Sequence, residues 1–274
     1  MFQLKSPQFG LKTELFSTYW NLKFNILNSA ELRLSFIFQL LGMCLNNFLI
    51  VVSWIFFFQN FGSINGWSTT EFIGLQSFTA IIYGIAFSFA AGAMELPNLV
   101  NFGIFDSILL SPRNLYLAIL TSKTRISALG DILFGLILLV AFFIINPIGF
   151  GASLILISLM IPATIILINF ALICGCIAFF IPDSRDLSRV GFETMFAPSM
   201  YPSGLFQGGL RFFFLFIIPS IAIAGLPIEA IKNWNYLSIL LVWTLAILWT
   251  AIALLVLKIG IKRYESSNLT GARN

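Results

Sequence analysis

The sequence contains no histidine and little charge of either sign. Asp, Glu, Lys and Arg make up 9% of its 274 residues, against about 25% in soluble domains. Hydrophobic residues make up 59%, and the mean hydropathy is +0.97. Such a chain has too few polar side chains to cover a water-facing globule, so we expect one membrane domain. We attribute the net charge of +4 to membrane topology and expect no nucleic-acid partner.

The chain also lacks the residues of common catalytic and metal sites. Without histidine it has neither the commonest metal ligand nor the commonest proton shuttle near neutral pH. Cys44, Cys174 and Cys176 lie in apolar stretches, and the last two would point about 200° apart on a helix. The phosphate-loop pattern G-x-x-x-x-G-K-[ST] is absent, as are H-E-x-x-H and G-x-S-x-G. We therefore predict no disulfide, no metal site, no enzyme activity and no cofactor in this chain.

Six long apolar stretches occupy most of the sequence, and each approaches the roughly 20 residues that a membrane-spanning helix needs. We predict spans at 34–58, 72–94, 132–148, 152–181, 212–228 and 236–257. If the N-terminus is inside, every lysine and arginine except Lys232 falls in an inside segment. Because cytoplasmic loops retain Lys and Arg, we expect an all-α, multi-pass protein with both termini cytoplasmic.

The predicted spans divide the chain into three parts. Residues 1–31 mix aromatic residues with Lys12 and Lys23, which predicts an amphipathic helix lying at the cytoplasmic membrane surface. The alternative for this segment is a disordered leader. Residues 32–260 form the six-span domain, and residues 261–274 form a short cytoplasmic tail.

The first two spans carry polar and small residues that need partners. Gln39, Asn46 and Asn47 place amides in the first span, so this helix should pack inside a bundle or against a second subunit. The second span has small residues at a spacing of four, which allows close helix contact: Gly84, Ser88 and Gly92. Packing within the subunit is the alternative to a role of these three in an interface or pathway.

The acidic residues nearest to the predicted spans lie at the borders of those spans. Glu71, Glu95 and Asp131 lie next to spans, and no acid is expected inside one. Proton- or sodium-coupled carriers depend on ionisable groups within the membrane. The distribution therefore argues against an ion-coupled carrier.

Two long inner loops connect the spans. Residues 95–131 predict a short helix around 104–110, followed by a break at which Ser111 is the N-cap and Pro112 the first residue of a second helix. This loop is too apolar to lie fully exposed in solvent, which suggests a docking surface. The alternative is a hairpin that lies at the membrane interface. Residues 182–211 predict a solvated helix and then a turn into the fifth span.

Two stretches resemble the permeases of type-2 ABC exporters. FDSILLSPRNLYLAIL resembles the cytoplasmic coupling segment of that family. The stretch from Glu193 to Pro227 resembles one of its branches in these residues: Tyr201-Pro202, Phe206, Arg211, Ile218-Pro219 and Pro227.

The resemblance implies a permease in the cell (plasma or inner) membrane that pairs with a second permease subunit, identical or different. It also implies a cytoplasmic ATP-binding cassette partner, which binds the ATP and Mg²⁺. Contact with this ATPase is expected for Asp106, Ser111, Pro112 and Arg113. The pathway or dimer interface is expected to include Gln39, Asn46, Asn47, Gly84, Ser88 and Gly92. An apolar lining suits export of a hydrophobic or amphipathic substrate.

Two other classes remain open at this point. The first is a membrane scaffold or assembly factor without transport activity. The second is an ion-coupled carrier or a membrane-embedded enzyme, against which the lack of histidine and of acids inside spans both count.

Overall fold

The computed structural model describes residues 10–30 and 33–264, and the described chain is helical almost throughout. The helices are α1 (Leu11–Ala30), α2 (Arg33–Phe61), α3 (Thr69–Ala90), α4 (Gly92–Asn101), α5 (Ile104–Leu110), α6 (Leu115–Leu120), α7 (Ala128–Ile145), α8 (Phe150–Gly175), α9 (Arg185–Ser199), α10 (Gly208–Phe212), α11 (Ser220–Ile223), α12 (Gly225–Lys232) and α13 (Tyr236–Arg263). Two 3₁₀ turns, Cys176–Phe179 and Ser203–Leu205, and a π-helical turn, Phe213–Ile217, complete the described elements.

Five helices in the described residues are long and apolar enough to cross a membrane: Phe36–Phe61, Thr69–Asn101, Ala128–Ile145, Phe150–Phe179 and Tyr236–Arg263. They confirm five of the predicted spans, with ends that shift by up to about two turns. We call the end of the bundle where α2 begins the proximal face, and the end where α2 finishes the distal face. Helices α2, α3, α7 and α8 alternate in direction, whereas α13 runs parallel to α8 and ends beside Asp106. The N-terminal end of α2 and the C-terminal end of α13 therefore both lie at the proximal face.

Helix α3 lies at the centre of the subunit. It packs along α7, while α8 packs along α13. A Cβ atom at Gly84 of α3 would lie 2.8 Å from the backbone nitrogen of Ile132 and 2.9 Å from the carbonyl oxygen of Ala128. Because the two backbones approach this closely, only glycine fits at this position.

The predicted fifth span, 212–228, is wrong. Residues 208–217 form a short helix that ends in the π-helical turn. The helix is interrupted at Ile218-Pro219, and α11 and α12 follow as separate short helices. Pro219 has no backbone N–H to continue a helix. The prediction from hydropathy treated two apolar segments as one helix, whereas the structure forms them as separate short helices.

The segment 185–205 makes the missing crossing from the proximal to the distal face. It runs antiparallel to 69–101 and stays in contact with α3, α4 and the turn before α3. From the proximal to the distal end, the contacts are Asn101–Asp183 (Nδ2 to Oδ1, 3.3 Å), Phe87–Phe192 (ring centroids, 5.5 Å), Gln76–Met200 (Nε2 to O, 2.8 Å) and Asn65–Gly204 (Nδ2 to O, 2.8 Å). The predicted inner loop 182–211 is therefore corrected to a crossing segment.

Ion pairs close the distal face and correct the placement of Arg211. Arg211, expected in an inner loop, donates through Nη2 to Glu229 at 2.6 Å. The same carboxylate accepts a hydrogen bond from Ser203. On the same face, Lys232 pairs with Glu71 at 2.8 Å. Arg211 therefore lies on the same side as Lys232.

Helix α1 confirms a helix in the N-terminal part, over Leu11–Ala30. Several of its apolar side chains are exposed, among them Phe16, Tyr19 and Phe24. Such a helix fits the membrane surface, and its interfacial position remains a prediction. Residues 1–9, 31–32 and 265–274 of the predicted leader and tail lie outside the described residues.

Candidate docking unit and membrane groove

Residues 104–120 form a helix–break–helix unit at the proximal face, which we call the α5–α6 unit. Helix α5 begins after Gly103, whose φ of 71° favours glycine, and ends before Ser111. The expected short helix around 104–110 is thus confirmed, but the expected start of the second helix is wrong. Asn114, not Ser111, caps α6, because its side-chain oxygen accepts a hydrogen bond from the backbone nitrogen of Leu117 at 3.2 Å.

Arg113 ties this unit to α1. Its side chain is 12% exposed, with Nε 3.7 Å from the Glu14 carboxylate and Nη2 donating to Thr18 Oγ1 at 3.0 Å. Glu14 also accepts from the backbone nitrogen of Asn114 at 3.0 Å. The charge of Arg113 is therefore used within the subunit.

Asp106 ties the same unit to the end of α13. The Tyr264 hydroxyl donates to Asp106 Oδ1 at 2.9 Å, and the Tyr264 ring packs on Phe105 with centroids 5.0 Å apart. Burial, together with the Asp106 carboxylate, raises the pKa of Tyr264, so the phenol stays protonated and remains a donor.

Several apolar side chains of the unit and of the turn before it are exposed. Leu110 is 85% exposed and Phe102 is 74% exposed, and Ile104 and Pro112 are also exposed. Large exposed apolar side chains are typical of a contact with a protein or a membrane. Ser111 is partly buried at the turn between the two helices.

A cavity of about 340 Å³ opens between α2, α3, α7 and α9. Aromatic rings and a few polar groups line it together, including Asn46, Asn47, Gln76, Tyr83, Phe87, Asp131, Phe134, Arg189, Phe192, Glu193 and Phe196. A second cavity of about 380 Å³ between α2 and α9 shares Asn46 and Ile50 with the first and reaches Tyr201. The two form one groove, which we call the α2–α9 groove.

Asp131 lies inside a span and faces this groove, which corrects the prediction that no acid lies inside one. It is buried in the first turn of α7 and accepts from Asn47 Nδ2 at 2.5 Å. At 1.5 Å per residue, both residues lie about 21 Å below the distal ends of their helices. Glu95 also lies within the apolar helix Thr69–Asn101, whereas Glu71 lies in the first turn of that helix at the distal face. The case against ion coupling that rested on absent acids therefore falls.

The remaining predicted residues separate into two groups. Gln39 lies on the exposed side of α2, whereas Asn46 and Asn47 line the groove. Gly84 and Gly92 pack against α7 and α6, where a Cβ atom at either glycine would meet backbone atoms, and Ser88 is buried. The small-residue stripe therefore packs within the subunit.

Sequence reasoning missed the part of α9 in the groove. Arg189 and Glu193 form an i,i+4 ion pair with 3.6 Å between Nε and Oε1, and both side chains are more than half exposed. On the adjoining side of the helix, Ser188, Phe192 and Met195 are buried. This amphipathic pattern predicted a solvated helix, but one exposed to a membrane groove has the same pattern.

Together, the long apolar helices and the groove between them define a multi-pass α-helical membrane protein. A family model described as ABC-2 family transporter protein matches residues 44–268. The chain belongs to this family: it is a membrane-embedded permease subunit of an ABC transporter, and is not itself the ATPase. Neither the curated proteins nor the solved structures gave a significant match.

Proposed function

We propose that this permease subunit belongs to an exporter driven by a separate cytoplasmic ATP-binding cassette protein, which binds the ATP and Mg²⁺. The α5–α6 unit is the surface on which that protein docks. The observation that carries this proposal is the exposure of four apolar residues at the unit and the turn before it: Phe102, Ile104, Leu110 and Pro112. Permeases of this family generally work with such a partner.

The contacts between the unit and the rest of the subunit suit a docking surface that must transmit force. Asp106 holds one helix of the unit to α13, and Arg113 holds the turn to α1. In this proposal, a force on the unit therefore moves the attached helices instead of deforming a flexible loop. In this proposal Ser111 and Pro112 contact the ATPase, while Asp106 and Arg113 are anchors behind them.

The distribution of charge supports a cytoplasmic proximal face. Among the lysines and arginines of the described segments, only Arg211 and Lys232 lie at the distal face. Since cytoplasmic segments retain Lys and Arg, we place both termini in the cytoplasm and the protein in the cell membrane.

The α2–α9 groove supports a pathway shared with a second permease subunit. The exposed Arg189–Glu193 pair would be costly to leave against lipid, so we propose that a second subunit or a water-filled pathway covers it. Aromatic walls with Asn46, Asn47 and Asp131 suit a hydrophobic or amphipathic substrate. We propose export because the coupling segment resembles that of exporter permeases.

Affinity purification tests the docking proposal. The tagged chain is solubilised gently from native membranes, and the co-purifying proteins are quantified by mass spectrometry. We expect a stoichiometric ATP-binding cassette protein with the unaltered chain and its loss with Leu110→Glu. The matched control is Phe61→Glu, an exposed apolar residue at the distal end of α2, which should retain the partner.

Two results would contradict the proposal. If no ATP-binding protein accompanies the unaltered chain, an ATP-driven exporter is overturned and a membrane scaffold becomes the better reading. If Leu110→Glu retains the partner as fully as Phe61→Glu does, docking occurs elsewhere.

A further inference from the structure

A tyrosine of the α5–α6 unit reaches into the helix bundle. Tyr116 lies in the first turn of α6, and its hydroxyl donates to Asn169 Oδ1 of α8 at 3.0 Å. Asn169 lies about 15 Å from the proximal end of the helix that finishes at Phe179. The unit therefore penetrates the bundle instead of only lying against its end.

The side chain of Asn169 extends this contact to a third helix. Asn169 is fully buried, and its Nδ2 donates to Thr250 Oγ1 of α13 at 2.9 Å and to the carbonyl oxygen of Ile165 at 2.9 Å. Thr250 Oγ1 in turn donates to the carbonyl oxygen of Ala246 at 2.7 Å. The amide thus uses its oxygen and both N–H groups. A fully satisfied polar network in an apolar interior fixes the relative positions of its members.

The unit is consequently attached to α13 at two depths. The upper attachment is the chain Tyr116–Asn169–Thr250, and the lower one is the Tyr264–Asp106 hydrogen bond. Thr250 lies about 20 Å from the proximal end of α13. Because the two attachments lie at different depths, the unit cannot rotate about one of them without straining the other. A displacement of the unit is therefore expected to move α8 and α13 as well.

The hydroxyl, and not only the ring, is needed for this link. Burial raises the pKa of Tyr116, so the phenol remains a neutral donor. Phenylalanine would fill the same space and keep the ring contacts. It would leave Asn169 Oδ1 without the donor that ties α6 to α8.

We propose that Tyr116 is a positioning residue that carries movement of the docked α5–α6 unit into α8 and α13 through Asn169 and Thr250. This inference rests on the proposed function, because a partner must move the unit. It assigns a transmission role to three residues within the bundle, none of which touches the ATPase in this proposal.

The test measures ATP hydrolysis and movement of the groove in the same complex. The permease is purified with its ATPase and placed in lipid nanodiscs. Ala197→Cys, at an exposed position in the α2–α9 groove, is labelled with a maleimide, with Cys44 replaced by alanine. The labelling rate is compared without nucleotide and with ATP plus vanadate. We expect the rate to change on nucleotide trapping when Tyr116 is present.

Tyr116→Phe should keep ATP hydrolysis and lose the nucleotide-dependent change in labelling. Tyr19→Phe, which alters an exposed tyrosine of α1, is the matched control and should keep both. Thr250→Val provides a second variant that removes the acceptor at the far end of the network. Its effect should not add to that of Tyr116→Phe, because both act on one chain of hydrogen bonds.

The outcomes separate this inference from the proposed function. If Tyr116→Phe and Thr250→Val both respond to nucleotide as the unaltered complex does, the transmission role is overturned and the exporter stands. If the unaltered chain has no ATPase partner and no response, both proposals fall. A change in thermal stability without loss of the response would make Tyr116 a packing residue only, which also overturns the inference.

Discussion

Helices α2 and α3 follow each other in the chain and are both strongly apolar, yet they occupy opposite environments. The most apolar window of α2 has a mean hydropathy of 2.0 and is 11% buried, whereas that of the α3–α4 helix has a mean hydropathy of 1.6 and is 78% buried. The less apolar helix is thus the buried one. In a membrane the lipid is as apolar as a protein core, so hydropathy does not say which helix is central.

What separates the two helices is the kind of side chain at their contacts. Helix α3 meets α7 at glycines and small residues, which allow backbones to approach. Helix α2 presents exposed leucine and phenylalanine side chains over most of its length and is held to α7 through the Asn47–Asp131 hydrogen bond. Three sets of substitutions test this contrast, in order of decreasing effect.

The largest effect is expected from a matched pair of glycine substitutions. Gly84→Leu in α3 forces the α3 and α7 backbones apart and should destabilise the fold by about 3 kcal/mol or more. Gly42→Leu in α2, where a Cβ atom meets nothing within 4 Å, should be tolerated. Fluorescence-detected size exclusion after heating compares their apparent Tm values. Equal losses would mean that α2 is packed as closely as α3.

A smaller effect is expected at the polar contact of α2 with α7. Asn47→Leu leaves the buried Asp131 carboxyl group without its donor and should cost about 1–2 kcal/mol. Asp131→Asn keeps a side-chain oxygen that can accept from Asn47 and should cost less. Thermal unfolding in detergent measures both. If Asp131→Asn proves the more damaging, the carboxylate has a role beyond this hydrogen bond.

The smallest effect is expected on the exposed face of α2. Phe38 is exposed, so Phe38→Ala should change the stability of the isolated subunit by less than about 0.5 kcal/mol. If a second subunit covers this face, the same substitution lowers the dimer fraction in chemical cross-linking while the subunit Tm stays constant. A large fall in the Tm of the monomer would contradict the exposure of α2.

The elements that the sequence predicted correctly depend on patterns among residues that are close together in the chain. Five apolar runs became five long helices, and α5 lies at the expected position. Hydropathy and turn residues act over a few neighbours, so they can be read along the chain.

The wrong predictions concern two segments, either of which could have formed the fifth membrane crossing. The run 212–228 is apolar enough to span, and 185–205 is charged enough to be solvated, but the structure gives the crossing to 185–205. Arg189 and Glu193 can lie there because the groove, not lipid, receives them. Neither a groove nor its second wall can be inferred from the local pattern of charges.

The sequence by itself determined that this is a multi-pass helical membrane protein with a helix–break–helix unit between its second and third spans, because composition, run length and turn residues are local properties. Its coupling motif also pointed to the family to which the chain belongs. Only the tertiary structure decided which segment crosses fifth and that Asp131 faces a groove beside Asn47. It also decided that Arg113 is paired within the subunit and that Tyr116 reaches α8 and α13. These depend on which helices become neighbours, and in a membrane that choice is made by packing and hydrogen bonds between residues far apart in the chain.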